Sequence, residues 1–123
     1  MISITLQGRV PSKKNAWRRP AGKGKAYLPS QIQADIDALQ VQAQLRRHGE
    51  DVKFLWGKKL RVQVQFHTKK ETVDLDNAYT TLLDVLQKAG IIDNDKNVRG
   101  FNVGEFIDPT KNESVDIAIF EKI

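Results

Sequence analysis

Strand-like patterns occupy four segments of the chain, which are residues 2–7, 60–67, 98–106 and 115–119. In the first of them, Ile2, Ile4 and Leu6 alternate with polar residues. A period of two places successive side chains on opposite faces of a strand, so this segment predicts a strand with one buried face. The last two segments are expected to be joined across a turn at 108–112, where Asp, Pro and Asn residues gather.

Apolar residues at helical spacing predict two helices between these strands. The first opens at Pro29 and Ser30, ends at Gly49 and is expected to bury Ile32, Ile36, Leu39, Ala43 and Leu45. The second covers residues 78–89 and is expected to bury Ala78, Leu82, Leu83, Leu86 and Ala89, with Asn77 as N-cap and Gly90 as C-cap. The chain is therefore predicted to be a single α+β domain over residues 1–123, with a small mixed β-sheet and two helices.

Basic residues dominate the first part of the chain. Residues 1–70 hold 15 Lys and Arg against 4 Asp and Glu, whereas residues 71–123 hold 5 against 11. Residues 8–29 are predicted to form one long loop, whose basic and aromatic side chains suit phosphate contacts and base stacking. A solvated loop without a ligand is the alternative. The residues expected to contact nucleic acid are Lys13, Lys14, Asn15, Arg18, Arg19, Lys23, Lys25, Lys69 and Lys70.

The absence of cysteine excludes disulfides and thiolate metal sites. Carboxylate oxygens are then the ligands available for a hard cation such as Mg²⁺ or Mn²⁺. No apolar run approaches the roughly 20 residues of a membrane span, and the N-terminal segment is too polar for a signal peptide. We therefore expect a cytoplasmic protein with no membrane partner.

Three aspartates stand near the second predicted helix. Asp74 and Asp76 precede it and leave the same face of an extended chain, where two like charges need a cation or a proton to neutralise them. Asp95 follows the helix, which is about 18 Å long, and can join the pair only if the chain after Gly90 folds back. With Asp93 as a fourth carboxylate, such a cluster could hold Mg²⁺ and activate water for attack on a phosphodiester. Capping of the helix by the first two aspartates, and an ordinary turn around the later ones, are the alternatives.

Two motifs carry a resemblance to a known family. The central motif comprises Asp74-Leu75-Asp76-Asn77, the run LLDVLQKAGII at residues 82–92, and Asp95; the early motif is Val10-Pro11-Ser12-Lys13-Lys14-Asn15. Together they resemble the RusA-like Holliday-junction resolvases over nearly the whole chain. The resemblance implies a homodimeric, Mg²⁺-dependent endonuclease that cuts four-way DNA junctions. It also implies that Asp74, Asp76 and Asp95 are the catalytic, metal-binding carboxylates, with Asp93 and Asn77 in support.

The chain departs from this family at one position that bears on catalysis. The family commonly carries a lysine one helical turn after the second aspartate, and this chain has Thr80 there. Threonine cannot supply the positive charge that stabilises a crowded phosphate. The candidates to replace that charge are Lys13, Lys14, Lys96 and Arg99. A branched-DNA-binding protein of the same fold, with weak or lost catalysis, is therefore the alternative to a nuclease.

Overall fold

The computed structural model describes residues 1–12, 28–49, 52–72 and 74–123, with the side chains of residues 48 and 49 left aside. Its main elements are β1 (Ile2–Gln7), α1 (Ser30–Gly49), β2 (Leu60–Thr68), α2 (Leu75–Lys88), β3 (Val98–Ile107) and β4 (Ser114–Glu121). Short 3₁₀ turns cover Lys53–Leu55 and Asp95–Asn97. The four strands and two helices expected from the sequence are all present, at bounds that differ by a few residues.

The four strands form one mixed sheet in the order β1-β4-β2-β3. β4 is antiparallel to both of its neighbours, whereas β2 and β3 are parallel and are connected through α2. The predicted α+β fold, with a mixed sheet and two helices, is confirmed. β3 and β4 follow each other in the chain without pairing, because β2 lies between them. Their connection crosses the end of β2, where the Asp108 N–H donates to the Thr68 carbonyl at 2.8 Å.

One face of the sheet is apolar and packs against the two helices. Ile4 pairs with Ile117, which in turn pairs with Val64, and all three side chains are buried. They share one buried cluster with Leu39 of α1 and Leu82 of α2. The alternation seen in the sequence therefore decides which face of each strand enters the core. Truncating a fully buried leucine of this kind to alanine costs about 2–5 kcal/mol.

The predicted buried stripe of α1 is confirmed at three positions, is only partly buried at Ile32 and is wrong at Leu45. Ile36, Leu39 and Ala43 are buried, whereas Leu45 is 67% exposed. Each residue of a helix is rotated by about 100° from the one before it, so Leu45 lies roughly 200° around the helix from Ala43. It shares the outer face with the exposed Val41, four residues earlier.

The helix α2 begins three residues earlier than predicted. Asp74 is its N-cap and not Asn77, because the Asp74 side chain accepts a hydrogen bond from the Asn77 N–H at 3.1 Å. At the other end Ala89 is the C-cap, and Gly90 follows with a φ of 78°. This left-handed conformation favours glycine and turns the chain back toward the core.

Candidate active site

Three strand ends and the start of α2 meet at one edge of the sheet. Because β1 and β2 are both antiparallel to β4, and β3 is parallel to β2, the first three strands end where β4 begins. A cleft of about 550 Å³ opens at this edge. It is lined by Arg9, Val10, Ser12, Lys69, Lys70, Glu71, Thr72, Asp74 and Glu113. We call it the strand-end cleft.

The charges of the strand-end cleft are mixed. Its basic residues are Arg9, Lys69 and Lys70, and its acidic residues are Glu71, Asp74 and Glu113. These six formal charges cancel. Lys69 and Lys70 were predicted to contact nucleic acid, and the structure places both beside Asp74. Arg9 was not singled out, since only the pairing of the strands brings the end of β1 to this edge.

Ser12 adds a polar group to the cleft. Its Oγ is buried and has no hydrogen-bond partner within the described ranges. Buried polar atoms of folded proteins usually have a partner, so an unpaired hydroxyl facing a cleft is suited to bind a ligand oxygen.

Asp74 is held in place by Asn77. The Asp74 carboxylate accepts the backbone N–H of Asn77 on one oxygen and the Asn77 side-chain amide on the other. The sequence had suggested capping as an alternative role for the aspartates before this helix, and Asp74 does cap it. Capping orients the carboxylate at the helix start, where the exposed N–H groups and the helix dipole stabilise negative charge.

Asp76 lies in the first turn of α2, two residues after Asp74, and is exposed. Its carboxylate forms no hydrogen bond or ion pair with any other described residue. An exposed carboxylate without a protein partner has its oxygens available to a cation or to water. The start of α2 therefore presents one oriented carboxylate and, two residues later, one accessible carboxylate.

A glutamate of β3 positions the segment that leads to this pair. The Thr72 N–H lies 3.2 Å from both carboxylate oxygens of Glu105, and the Thr72 hydroxyl donates to the same carboxylate. Glu105 is paired in register with Phe66, so it faces the helix side of the sheet. Sequence reasoning missed this residue. The available signal was a charged residue at a position where the strand alternation calls for an apolar one.

Asp95 lies at the opposite end of α2. Its N–H donates to the Gln87 side-chain oxygen at 2.8 Å, and Gln87 is 11 residues after Asp76, which is about 16 Å along a helix. Within the described residues, no group of three or more His, Cys, Asp or Glu side chains is arranged to hold a metal ion. Within one protomer Asp74 and Asp76 thus belong to the start of α2 and Asp95 to its other end, and metal binding by the three stays a prediction.

Asp93 belongs to the same distant turn as Asp95. One of its oxygens accepts the Gly57 N–H at 2.7 Å, and the other accepts the Asn94 N–H and the Asn97 side-chain amide. Desolvation raises the pKa of the Asp93 carboxyl, but these hydrogen bonds lower it by more, so the net shift is downward. The contacts give Asp93 a structural role that joins two loops, and its expected role at a metal is not tested by them.

The residues that could supply the positive charge absent at Thr80 lie at different distances from the start of α2. Thr80 is exposed, and its hydroxyl donates to the Asp76 carbonyl at 3.0 Å. Lys96 adjoins Asp95, and Arg99 lies near the start of β3, at the sheet edge opposite the strand-end cleft. Neither can replace a lysine at Thr80 within the same protomer, whereas Lys69 and Lys70 line the cleft beside Asp74.

Most of the predicted nucleic-acid contacts lie outside the described residues. These are Lys13, Lys14, Asn15, Arg18, Arg19, Lys23 and Lys25. Their predicted contacts with phosphates stay predictions. The described chain before these residues ends at Ser12, which lines the cleft, and the described chain after them begins at Leu28, just before α1.

Comparison with known proteins adds one finding. The model of the family described as Endodeoxyribonuclease RusA matches residues 7–119 of the chain. That range includes the strand-end cleft and both ends of α2. A search of curated proteins gave no match. Within the described ranges, no helix combines the length and the apolar character needed to cross a membrane.

Proposed function

The chain belongs to the RusA endodeoxyribonuclease family, and from this membership we propose that it resolves four-way DNA junctions by metal-dependent hydrolysis of phosphodiester bonds. The observation that carries the proposal is the position of Asp74 and Asp76. Both stand at the start of α2, and Asp74 lines a cleft that also holds Arg9, Lys69 and Lys70. Acidic ligands and phosphate-binding cations thus occur in one place.

The donor set fits Mg²⁺, with Mn²⁺ as the alternative. Hard divalent cations take oxygen ligands, and the start of α2 offers the carboxylate oxygens of Asp74 and Asp76. Asp74 lines a cleft whose formal charges cancel without an added cation. When bound, such an ion supplies an activated water and neutralises charge on the phosphate. The contribution of the chain itself is to orient Asp74 through Asn77, and to hold the preceding segment through Glu105.

The basic residues of the cleft are assigned to the DNA backbone. Lys69 and Lys70 follow the end of β2 and are exposed, and Arg9 follows the end of β1. Their ammonium and guanidinium groups bind phosphate irrespective of base sequence, which suits an enzyme that recognises the shape of a junction. The Ser12 hydroxyl can add a hydrogen bond to a phosphate oxygen in the same cleft.

In a homodimer, Asp95 of one protomer could lie close to Asp74 and Asp76 of the other. If the α2 helices of two protomers run antiparallel, the end of one helix lies beside the start of the other, which brings the partner subunit's Asp95 to Asp74 and Asp76. Exposed apolar area next to α2 supports such a contact. Phe101, which is 55% exposed, stacks on Tyr79 of α2 with ring centroids 4.7 Å apart. A two-fold symmetric enzyme also suits a four-way junction with two equivalent strands to cut.

The proposal is tested with purified protein on a four-way junction, with Mg²⁺ and with the metal chelated. We expect cleavage only with the metal. Asp76→Asn should abolish cleavage while binding, measured by fluorescence anisotropy, stays the same or strengthens, because a carboxylate repels phosphate when no metal neutralises it. Asp84→Asn is the matched control, since Asp84 is on the same helix and pairs with Lys88 at 3.2 Å. An equal loss of cleavage in Asp76→Asn and Asp84→Asn would contradict a special role for Asp76.

Thr80 favours a second candidate function, a branched-DNA-binding protein with weak or lost catalysis. The position one turn after Asp76 carries a neutral hydroxyl that is bonded to the helix backbone. The same experiment separates the two functions. Tight junction binding with no cleavage in Mg²⁺ or Mn²⁺ supports the binding protein. Cleavage by the wild type that is lost in Asp76→Asn supports the nuclease.

A further inference from the structure

A second, smaller pocket lies at the same edge of the sheet, on the face that the helices leave open. Its volume is about 230 Å³, and it is lined by His67, Thr68, Phe106, Asp108, Lys111, Asn112 and Ser114. Thr68 directly precedes Lys69 of the strand-end cleft, so only the end of β2 separates the two. We call this the turn pocket, after the turn at 108–112 that closes it.

An aromatic wall forms one side of the turn pocket. The Phe106 ring is 60% exposed, and its centroid is 6.2 Å from that of His67. His67 is held by a hydrogen bond of 2.7 Å between its Nε2 and Asp116, whose other oxygen accepts the Thr5 hydroxyl at 2.7 Å. The flat face of this exposed ring suits stacking with a nucleobase.

Polar groups form the opposite side. One oxygen of the Asp108 carboxylate accepts both the N–H and the hydroxyl of Thr110, which fixes the turn. Lys111 makes no ion pair within 4.0 Å to another described residue, so its ammonium N–H groups are available to a ligand. Its charge still acts on Asp108, because the Thr110 hydrogen bonds and, to a smaller extent, Lys111 lower the pKa of that carboxyl. The Thr68 Oγ is buried and likewise has no hydrogen-bond partner in the described part of the chain.

We propose that the turn pocket binds one nucleotide of the DNA strand, with its phosphate on Lys111 and Asn112 and its base against the Phe106 ring. This inference rests on the proposed function, because it extends the path of the strand away from the phosphate in the strand-end cleft. The volume suits a single planar base with its phosphate, and the basic residues at the end of β2 connect the two positions.

The role of the turn pocket is tested by binding of fluorescein-labelled hexathymidylate to the full chain, measured by anisotropy over a series of salt concentrations. Phe106→Ala should weaken binding about tenfold, because stacking of a base on an aromatic ring is lost. Phe106→Leu keeps the apolar bulk and should weaken binding nearly as much. Lys111→Ala should make the slope of log K against log salt shallower by about 0.7, as expected for one lost phosphate contact to a single strand.

Lys122→Ala is the charge-matched control, because Lys122 is exposed and lies at the opposite edge of the sheet, where its ammonium contacts the Arg99 carbonyl at 3.4 Å. It should leave both the affinity and the slope unchanged. Circular dichroism melting checks that each variant is folded, and Lys111→Ala alone decides the outcome if a Phe106 variant is not.

The outcomes separate this inference from the proposed function. If the wild type cuts junctions while the turn-pocket variants bind hexathymidylate as the Lys122 control does, the turn pocket is not a nucleotide site and the nuclease proposal stands. If the wild type cuts no branched DNA but Phe106 and Lys111 variants weaken binding selectively, the pocket stands and the nuclease proposal falls. Failure of the wild type to bind hexathymidylate overturns the pocket.

Discussion

The Asp95 N–H donates to the Gln87 side-chain oxygen, which places Asp95 beside the last turn of α2 while Asp76 lies in the first turn. From Asp76 to Gln87 the helix rises by about 16 Å, so the two aspartates lie at opposite ends of α2. If three aspartates form one metal site, the third must come from a second copy of the chain.

A mixing experiment tests this arrangement. Asp76→Asn and Asp95→Asn proteins should each be inactive on a junction. When the two are unfolded, mixed in equal amounts and refolded together, roughly a quarter of wild-type activity should return. In a two-fold symmetric dimer half of the molecules are then mixed, and one of the two sites in each mixed dimer keeps both aspartates. Sites built within one protomer restore nothing, so an inactive mixture would show that Asp95 acts in its own protomer or not at all.

Glu105 is predicted to act by positioning the segment before Asp74. Glu105→Ala leaves the Thr72 N–H without its acceptor and should lower the free energy of unfolding by about 1–3 kcal/mol. It should also lower the cleavage rate more than the affinity for a junction, because the carboxylates are then less well held. Glu105→Gln keeps an acceptor and should recover most of the rate.

Glu121→Ala serves as the control for Glu105. Glu121 pairs with Lys58 at 3.6 Å on an exposed part of the sheet, where an ion pair contributes little. A loss of rate equal to that of Glu105→Ala would mean that general destabilisation explains the effect.

Thr80→Lys tests the position at which the chain departs from the family pattern. A cation one turn after Asp76 should stabilise charge in the transition state, so the variant should cleave junctions faster with little change in affinity. A tenfold gain corresponds to about 1.4 kcal/mol. Thr80→Met supplies length without charge and should give no gain. A wild type that cuts quickly, with a neutral or harmful Thr80→Lys, would show that another residue supplies the charge.

Tyr79 is predicted to make stability fall at high pH. Burial raises the pKa of Tyr79 to about 12. In the unfolded chain the hydroxyl ionises near its ordinary value of about 10, so the unfolded state loses the proton first and stability decreases between these two values. Ultraviolet titration of tyrosinate should show one group with a raised pKa. Tyr79→Phe should remove that titration and weaken the loss of stability in this pH range.

The same variant has a second consequence at neutral pH. The Tyr79 hydroxyl is buried without a hydrogen-bond partner among the described residues. Removing it should therefore leave the free energy of unfolding unchanged or raise it by about 1 kcal/mol, measured in urea. A clear loss of stability would reveal a partner for the hydroxyl, such as one at a dimer contact near Phe101.

Local patterns along the chain were sufficient to predict the helices and strands, and the central motif lies within one short stretch of it. Alternation at Ile2, Ile4 and Leu6 is a local property of a strand with one buried face, and the structure buries all three. The helical spacing of apolar residues predicted α1 and α2 because it too is a local property of the chain. The motif around Asp74 is also contiguous, so it could be identified as a family resemblance before any fold was known.

Contacts between residues that are distant in the chain depend on how the elements pack, and no local pattern encodes them. Strand order is set by pairing between segments far apart in the chain, so the position of β2 between β3 and β4 has no local signature. That order brings Arg9 and Lys69 to Asp74, and places Glu105 against Thr72. Asp95 stays at the far end of α2 for a different reason. Gly90 turns the chain into the core, and the Gln87 side chain holds the segment that follows there.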